Sequence, residues 1–468
     1  MRGRGSLWAE LGLLKPPGPR MGRWPVVAIL VVLAAGCGKG TGPVRVGVDG
    51  TITHQVMEGF GASNRVWDDP HLANVSPTII PAEAQREILT RLYTDLGLTR
   101  VRPATEADIE PVNDNDDPFT FDWSKFNFAW KRNDAHVDFV KQAMPYGLRV
   151  YFLSPIILEK WMTEGKPEEY VEWALAVLLR WRALGQELPY YSIINEPGHW
   201  RSGIWSAQWM KAVVKRLGSR MRAEGLKAML VIPDDVNATE AFKRASVVLE
   251  DPEARQYVGA LAYHLYGGAE KDLGRMRDLA RQHHIPVWMT ESQETAPTYA
   301  GAMGWIRTVH RLIAEYGVSA VDHMWGFFGS WVEAKYGGGA FVSINFNRGR
   351  YQGYRLTPAY YLTGQFSRFV RPGYVRIEAR SSDDAVLVTA FRGSRDLVIV
   401  LINTGRTRRA TVGFTGIALP ASFVPVRTSG VQNWQQLPPV QLQGSEVSIE
   451  LPPQSVTTLL GENGAGEG

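Results

Sequence analysis

From about Met57 to Phe328, short runs of β-forming residues alternate with longer stretches in which apolar residues recur at helical spacing. This order is typical of βα units, in which parallel strands form one sheet and helices cover it. The predicted strands are Glu58–Ser63, Thr99–Pro103, Leu148–Ser154, Tyr190–Asn195, Ala228–Pro233, Val258–His264, Pro286–Thr290 and Ala320–Gly326.

Amphipathic helices are predicted between the strands. Pro81–Leu96 and Ser206–Glu224 each place apolar residues on one face, and a last helix is expected near Pro358–Phe369. Eight strands with these helices predict one closed (β/α)8 TIM barrel. An open doubly wound sheet is disfavoured because no Gly-rich phosphate loop follows the first strand. Several helices are expected to end at a glycine in the left-handed conformation, namely Gly97, Gly147, Gly225 and Gly317.

After about Tyr374 the pattern changes to short alternating runs separated by turn residues, which is typical of a β-sandwich. Val44–Val56 alternates in the same way and is expected to join this module. The predicted fold class is therefore α/β, a TIM barrel with an appended β-sandwich formed by the C-terminal region plus an N-terminal strand. The C-terminal runs are Val375–Ala379, Ala385–Phe391, Leu397–Asn403, Ala410–Phe414, Ser422–Thr428 and Glu446–Leu451.

The N-terminus has the pattern of a processing signal. A short basic start at Met21 precedes the apolar stretch Trp24–Ala35, which is too short to span a bilayer but suits a signal-peptide core. The segment Leu33-Ala34-Ala35-Gly36-Cys37 resembles a bacterial lipobox, so lipidation is predicted at Cys37. A small buried hydrophobe is the alternative for this residue. Because Cys37 is the only cysteine, intramolecular disulfides are excluded.

These patterns predict the organisation of the chain. A signal peptide and lipobox occupy residues 1–37, with Met21 as an alternative start, and a tether occupies 38–43. An N-terminal strand segment at 44–57, a barrel at 58–370, a sandwich at 371–460 and a disordered tail at 461–468 follow. The expected location is outside the cytoplasm of a bacterium, as an envelope lipoprotein or a secreted protein.

Composition narrows the classes of function. The chain has 468 residues, of which 45% are hydrophobic and 21% charged, and this is ordinary for a globular protein. A net charge of +4 and the absence of a basic block interleaved with aromatics disfavour nucleic acid binding. The 16 tryptophans are explained mainly by core packing, but they mildly favour a carbohydrate protein, since sugars stack on indole faces.

Two glutamates follow apolar strands of the predicted barrel. Glu196 follows the fourth strand and Glu291 the seventh. Reactive side chains of TIM barrels lie at the C-terminal ends of the strands, and these two strands face each other across the mouth. A single glutamate at such a position is usually an ion-pair partner, but two together predict a catalytic pair.

Glycosidic cleavage is the chemistry that this pair suits best. One carboxylic acid protonates the leaving oxygen, and the other carboxylate stabilises or captures the oxocarbenium-like centre. Carboxyl groups roughly 5–5.5 Å apart give retention of configuration, whereas wider spacing admits water and gives inversion.

Several ordered motifs resemble glycoside hydrolase family 30, within the clan of retaining (β/α)8 glycosidases. The resemblance covers nearly all of residues 44–460. The motifs are Glu58-Gly59-Phe60-Gly61-Ala62-Ser63, Trp161-Met162, Asn195-Glu196-Pro197, His264-Leu265-Tyr266, Met289-Thr290-Glu291 and the segment from Tyr360 to Gly373.

The resemblance implies a role for each matched residue. Glu196 is expected to be the general acid/base and Glu291 the nucleophile, and Asn195 is expected to bind the sugar 2-hydroxyl. Arg102 is expected to hold Glu291 ionised, with Arg100 as the alternative.

The same resemblance places four further residues around the sugar. His264 and Tyr266 are expected to line the subsite, Trp325 to form a stacking floor and Trp161 a second wall. Packing is the alternative for His264 and the two tryptophans, and an ion pair is the alternative for Arg102. Neither a metal nor a cofactor is implied.

Two segments depart from the family pattern or lie outside it. The turn Ser154–Met162 lacks the second proline of many family members, which makes the placement of Trp161 uncertain. The acidic stretch Glu110–Asp117 follows the second strand and is either a turn-rich loop or a set of acceptors for sugar hydroxyls. A calcium site there does not fit the EF-hand pattern.

The predicted function is a retaining β-glycoside hydrolase acting by double displacement. The substrate is an extracytoplasmic β-linked polysaccharide or oligosaccharide of β-1,6-galactan, β-1,6-glucan or xylan type. The alternatives are a glucosylceramidase-like exo-β-glycosidase and a non-catalytic glycan-binding barrel. The expected partners are a carbohydrate and the membrane through Cys37, and the chain is expected to be a monomer.

Overall fold

A computed structural model describes residues 43–129, 133–199, 202–292 and 296–462. The predicted signal segment with Cys37, the tether up to residue 42 and residues 463–468 lie outside the described residues. Within them, no helix has the length and apolar character needed to cross a bilayer.

The predicted barrel is confirmed. The first described strand, β1 (Val44–Val56), precedes it, and eight parallel strands form a closed ring. Closure comes from pairing of the second ring strand with both the first and the third. The strands of this sheet are β2 (Gly59–Ser63), β3 (Arg100–Arg102), its short continuation β4 (Ala104–Thr105), β5 (Val150–Pro155), β6 (Tyr190–Ser192), β7 (Met229–Asp235), β8 (Val258–His264), β9 (Val287–Glu291) and β10 (Ala320–His323).

Helices cover the outside of the barrel, and side-chain caps fix several of their starts. Ser206, Asn237 and Thr298 each accept a hydrogen bond from a backbone N–H of the first turn, at 3.0–3.1 Å. The helices are α1 (Pro70–Ala73), α2 (Ala82–Leu89), α3 (Asn133–Ala143), α4 (Pro167–Ala183), α5 (Ala207–Ala223), α6 (Ala238–Glu250), α7 (Pro252–Arg255), α8 (Glu270–His283), α9 (Tyr299–Ala314), α10 (Trp331–Tyr336) and α11 (Pro358–Ser367), with short 3-10 turns at Trp123–Lys125 and Met144–Tyr146.

The predicted glycine positions after the helices are confirmed. Their φ angles lie between +66° and +129°, a range that costs glycine little because it has no Cβ. The helix predicted over Pro81–Leu96 differs in one respect, since α2 ends at Leu89 and a π-helical segment, Thr90–Asp95, follows. There the N–H of Leu96 donates to the carbonyl of Arg91, five residues back.

The interior of the barrel is filled by side chains and is not a pore. Phe152, Trp288 and small residues of neighbouring strands form one buried cluster at its centre. A buried Arg100–Asp322 ion pair lies beside it, with the Arg100 guanidinium 4.1 Å from the ring centre of Trp288. This packed layer supports the strand ends where the glutamates lie.

A small three-stranded sheet follows the eighth barrel strand and was not predicted. It consists of β11 (Phe327–Gly329), β12 (Val342–Asn347) and β13 (Arg350–Leu356). The polar residues and glycines of this stretch are typical of loops, although β11 and the first three residues of β12 are buried.

The predicted β-sandwich module is confirmed, together with its N-terminal strand. β1 pairs antiparallel with the first C-terminal strand and parallel with a later one. The N-terminal half of β1 alternates between buried and more exposed residues. The C-terminal strands are β14 (Val375–Ser381), β15 (Val386–Arg392), β16 (Asp396–Asn403), β17 (Arg408–Thr415), β18 (Ser422–Ser429), β19 (Gln432–Gln436), β20 (Val440–Gln441), β21 (Glu446–Leu451) and β22 (Ser455–Glu462).

Three strands of this module, β19, β20 and β22, were not predicted, and β22 changes one boundary. β22 runs antiparallel between β16 and β18 and ends at Glu462, two residues inside the segment predicted as a tail. Its Ser, Thr and Gly residues do not indicate a strand, but pairing on both sides buries it.

Candidate active site

The two glutamates lie at one mouth of the barrel on separate supports. Glu291 is the last residue of β9, whereas Glu196 lies four residues beyond the end of β6. Glu196 has φ +51°, a left-handed conformation that is uncommon for a residue with a side chain and that clusters at functional sites. Its N–H donates to the carbonyl of Asp234 at the end of β7, and this contact fixes the bend.

The carboxylates of the pair meet at His264. The Nδ1 atom of His264 lies 2.9 Å from Oε1 of Glu196 and 3.9 Å from Oε1 of Glu291. These three side chains have ligand atoms within 4.8 Å of one another, so an oxygen of Glu196 and one of Glu291 are that close. Both glutamates are less than a tenth exposed.

Among the described residues, Glu196, His264 and Glu291 also lie close enough together for their side chains to hold a metal ion. A pair of close carboxylates is also what glycoside cleavage by retention uses. The arrangement therefore has a sufficient explanation in acid/base and nucleophilic chemistry.

Arg102, not Arg100, contacts the predicted nucleophile. Its Nη1 donates to Oε2 of Glu291 at 2.9 Å, and its Nη2 donates to the side-chain oxygen of Asn195. Arg100 lies one layer deeper on β3 and is paired with Asp322. The guanidinium of Arg102 thus stabilises negative charge on Glu291 while it orients the Asn195 amide.

Tyr266 completes the group of predicted residues that the structure brings together. Burial, followed by the neighbouring carboxylate of Glu291, raises the pKa of Tyr266 well above its ordinary value. The hydroxyl therefore stays protonated, and its ring lies edge-on to His264 with centroids 6.0 Å apart.

The two predicted stacking tryptophans have other contacts. Trp325 is buried and packs on Phe328, with ring centroids 4.4 Å apart, under the guanidinium of Arg65. Trp161 is part-buried, and its Nε1 donates to the carbonyl of Glu110 at 2.7 Å. Their roles against a sugar stay predictions.

The acidic loop uses most of its acceptors internally, which favours the turn-rich interpretation. Glu110 accepts the N–H of Asp114, and Asp117 accepts the N–H of Phe119. Burial, partly offset by this backbone hydrogen bond, raises the pKa of Glu110 to about 8. Burial also raises the pKa of Glu172, on α4, to about 8, and the charges of the two groups repel each other.

Sequence reasoning missed Asp234, the last but one residue of β7. It is fully buried and accepts hydrogen bonds from both Arg102 and the hydroxyl of Thr290, at 3.0 and 2.6 Å. The signal that revealed the glutamates is present here too, because Asp234 and Asp235 directly follow an apolar strand. The apolar pattern alone ends the fifth strand at Pro233, whereas the strand continues through both aspartates.

No protein-family model matches the chain. A glucosylceramidase-like protein of Caenorhabditis elegans is 24% identical over 436 residues, which are 81% of this chain and 80% of that protein. The glucuronoxylanase XynC of Bacillus subtilis is 26% identical over 285 residues, which are 59% of this chain and 62% of that enzyme.

The catalytic domain of a family 30 xylanase C from Talaromyces cellulolyticus has the same fold. It superposes with a TM-score of 0.72 and 19% identity, covering 90% of this chain and 100% of that domain. The resemblance to glycoside hydrolase family 30 is confirmed. Both curated relatives are named for the hydrolysis of glycosides, and the xylanase domain shares the fold of this chain.

Proposed function

We propose that this chain is a retaining β-glycoside hydrolase that uses Glu196 and Glu291 in a double displacement. The observation that carries the proposal is the approach of their oxygens to within 4.8 Å. This spacing suits direct attack by a carboxylate and is too short for the water that an inverting enzyme holds between carboxyl groups roughly 6.5–9.5 Å apart.

In the first step, a carboxylate oxygen of Glu291 attacks the anomeric carbon while the bond to the leaving oxygen breaks. Glu196 donates its proton to that oxygen, and a glycosyl ester of Glu291 forms. In the second step Glu196 accepts a proton from water, whose oxygen attacks the anomeric carbon and releases Glu291. Arg102 compensates the charge of Glu291 before and after, and Asn195 faces the 2-hydroxyl.

The proposed substrate is a β-linked polysaccharide or oligosaccharide of β-1,6-galactan, β-1,6-glucan or xylan type. The name of the Bacillus relative supports a polysaccharide. The name and long coverage of the Caenorhabditis relative support the second candidate, a glucosylceramidase-like exo-β-glycosidase.

A panel of these polysaccharides, glucosylceramide and aryl β-glycosides tests the proposal. We expect hydrolysis of at least one substrate, with the first product released as the β-anomer by proton NMR. Glu291→Gln and Glu196→Gln are expected to lose activity, whereas Glu315→Gln, at the exposed residue that follows α9, is expected to keep it. Release of the α-anomer, or full activity of Glu291→Gln, contradicts the mechanism.

We further propose that the chain acts outside the cytoplasm, anchored through a lipid on Cys37 after a signal peptide that begins at Met1 or Met21. The lipobox-like sequence before Cys37 supports this location. Cys37→Ser is expected to abolish labelling by a radioactive fatty acid and to release the protein from the membrane fraction. Unchanged labelling of this variant contradicts the anchor.

A further inference from the structure

Asp234 contacts Arg102 and His264, the two side chains that contact the glutamates. Its Oδ2 accepts hydrogen bonds from the hydroxyls of Ser154 and Ser192 at 2.8 and 2.9 Å, in addition to Arg102 at 3.0 Å. Its Oδ1 lies 3.4 Å from Nε2 of His264. The carboxylate is fully buried and touches neither Glu196 nor Glu291 through its side chain.

Each cation that Asp234 contacts reaches one of the glutamates on its other side. Arg102 donates to Glu291, and His264 faces Glu196 at 2.9 Å. The backbone carbonyl of Asp234 also accepts the N–H of Glu196 at 2.9 Å. Asp234 itself has φ +58°, a left-handed conformation that is strained for a residue with a side chain and that clusters at functional sites.

We propose that Asp234 is a positioning residue, whose carboxylate fixes Arg102 and the protonated ring of His264 against the two glutamates. The proposal rests on the proposed function, since it assigns these contacts to the retaining reaction. A carboxylate that orients a histidine is a general way to hold the ring in one protonation state and one rotamer.

The charges around His264 agree with a ring that carries two protons. Burial opposes this charge, but the carboxylates of Glu291, Asp234 and Glu196 outweigh it and raise the pKa of His264 to about 10. The other titratable groups beside this cluster are the Arg102 guanidinium, the neutral Tyr266 hydroxyl and His199, whose Nδ1 lies 3.8 Å from Oε2 of Glu196. His264 is therefore a fixed donor to Glu196 at neutral pH.

The matched control is Asp322, the second fully buried aspartate that pairs with an arginine of β3. It binds Arg100 through both oxygens and contacts neither glutamate nor His264. Asp322→Asn therefore reports what the loss of a buried ion-pair partner does to the barrel without disturbing the proposed site.

The deciding measurement follows the His264 ring by 15N NMR, with the signal assigned by its loss in His264→Gln. In the wild type we expect both ring nitrogens to stay protonated through pH 8. In Asp234→Asn we expect the titration midpoint of the ring to fall by about one pH unit or more. In Asp322→Asn we expect it to stay in place.

Kinetics on a hydrolysed substrate give the second readout. We expect Asp234→Asn to lower kcat by about 10²-fold, as small misplacements of catalytic groups do, with little change in KM. Asp322→Asn is expected to keep the kcat of its folded fraction.

The proposal is overturned if the wild-type ring loses a proton below pH 7, or if Asp234→Asn leaves the titration or kcat unchanged. If Asp234→Asn does not fold, the wild-type titration still decides, together with Ser192→Ala, which removes one donor to Oδ2. The NMR readout needs no substrate, so lack of hydrolysis by the wild type defeats the proposed function without deciding the contacts of Asp234.

Discussion

Arg100 and Arg102 lie two residues apart on β3, both point into the barrel, and they have opposite environments. Arg100 is fully buried, lies against the ring of Trp288 and forms a two-oxygen ion pair with Asp322. Arg102, at the open end of the barrel, donates to four different side chains, those of Glu291, Ser154, Asn195 and Asp234. Depth in the barrel thus separates an arginine that joins two strands by an ion pair from one that contacts the proposed nucleophile.

The deeper pair is expected to show the largest effect on stability. Arg100→Met leaves the Asp322 carboxylate buried without a partner, and loss of one member of such a pair costs about 3–5 kcal/mol. Urea unfolding followed by fluorescence measures this loss. A change under about 1 kcal/mol means that the pair does not hold the strands as the geometry suggests.

Arg102, the arginine nearer the barrel mouth, is expected to show the largest effect on catalysis. Arg102→Lys keeps a positive charge but cannot reach Glu291, Asn195 and Asp234 at once, because an ammonium lacks the planar fork of guanidinium. We expect kcat/KM to fall by about 10²–10³-fold, as on loss of one donor to a charged reacting group. Arg100→Lys serves as the control, and equal losses in both variants contradict the separation by depth.

Removing both members of the deep pair is expected to reverse much of the first effect. Arg100→Met combined with Asp322→Leu replaces two desolvated charges by apolar groups, and such replacements are often neutral. We expect the double variant to recover about 2 kcal/mol or more of the stability that Arg100→Met loses. A double-mutant cycle in urea measures this coupling, and strict additivity contradicts it.

The smallest expected effect concerns Glu110, a buried carboxylate for which the described residues show no ion pair with an arginine. The pKa of Glu110 is raised to about 8 from an ordinary value of 4.5, so the folded state binds the proton more tightly than the unfolded state. This contribution to stability is complete below about pH 4.5 and is lost as the pH rises through 8. Glu110→Gln is expected to flatten the dependence of the melting temperature on pH between these limits, and an unchanged slope contradicts the shift.

The sequence predicts the barrel and its glutamates because burial repeats along the chain. All eight barrel strands appear with bounds within three residues of the prediction, and both glutamates lie at or just beyond the C-terminal ends of their strands. Strand alternation could not decide between Arg100 and Arg102, since residues two apart share a face and only depth differs.

What the sequence did not predict depends on contacts between distant segments. Asp234 is a functional candidate only because β3, β5, β6 and β9 bring donors to it. The strand β22 has a polar composition and is buried by its neighbours rather than by its own pattern. The π-helical segment after α2 shifts one hydrogen bond and leaves no clear mark in composition.

The pairing of β1 has a consequence for how the chain is made. Val46 pairs with Ser381, and Val44 pairs with Ala410. These partners of the first described strand therefore lie more than 330 residues later in the sequence. During synthesis from the N-terminus the barrel sequence emerges long before these partners, and β1 stays an unpaired edge until then. No single cut of the chain separates the barrel from the complete sandwich, because β1 and its partners lie on opposite sides of the barrel sequence.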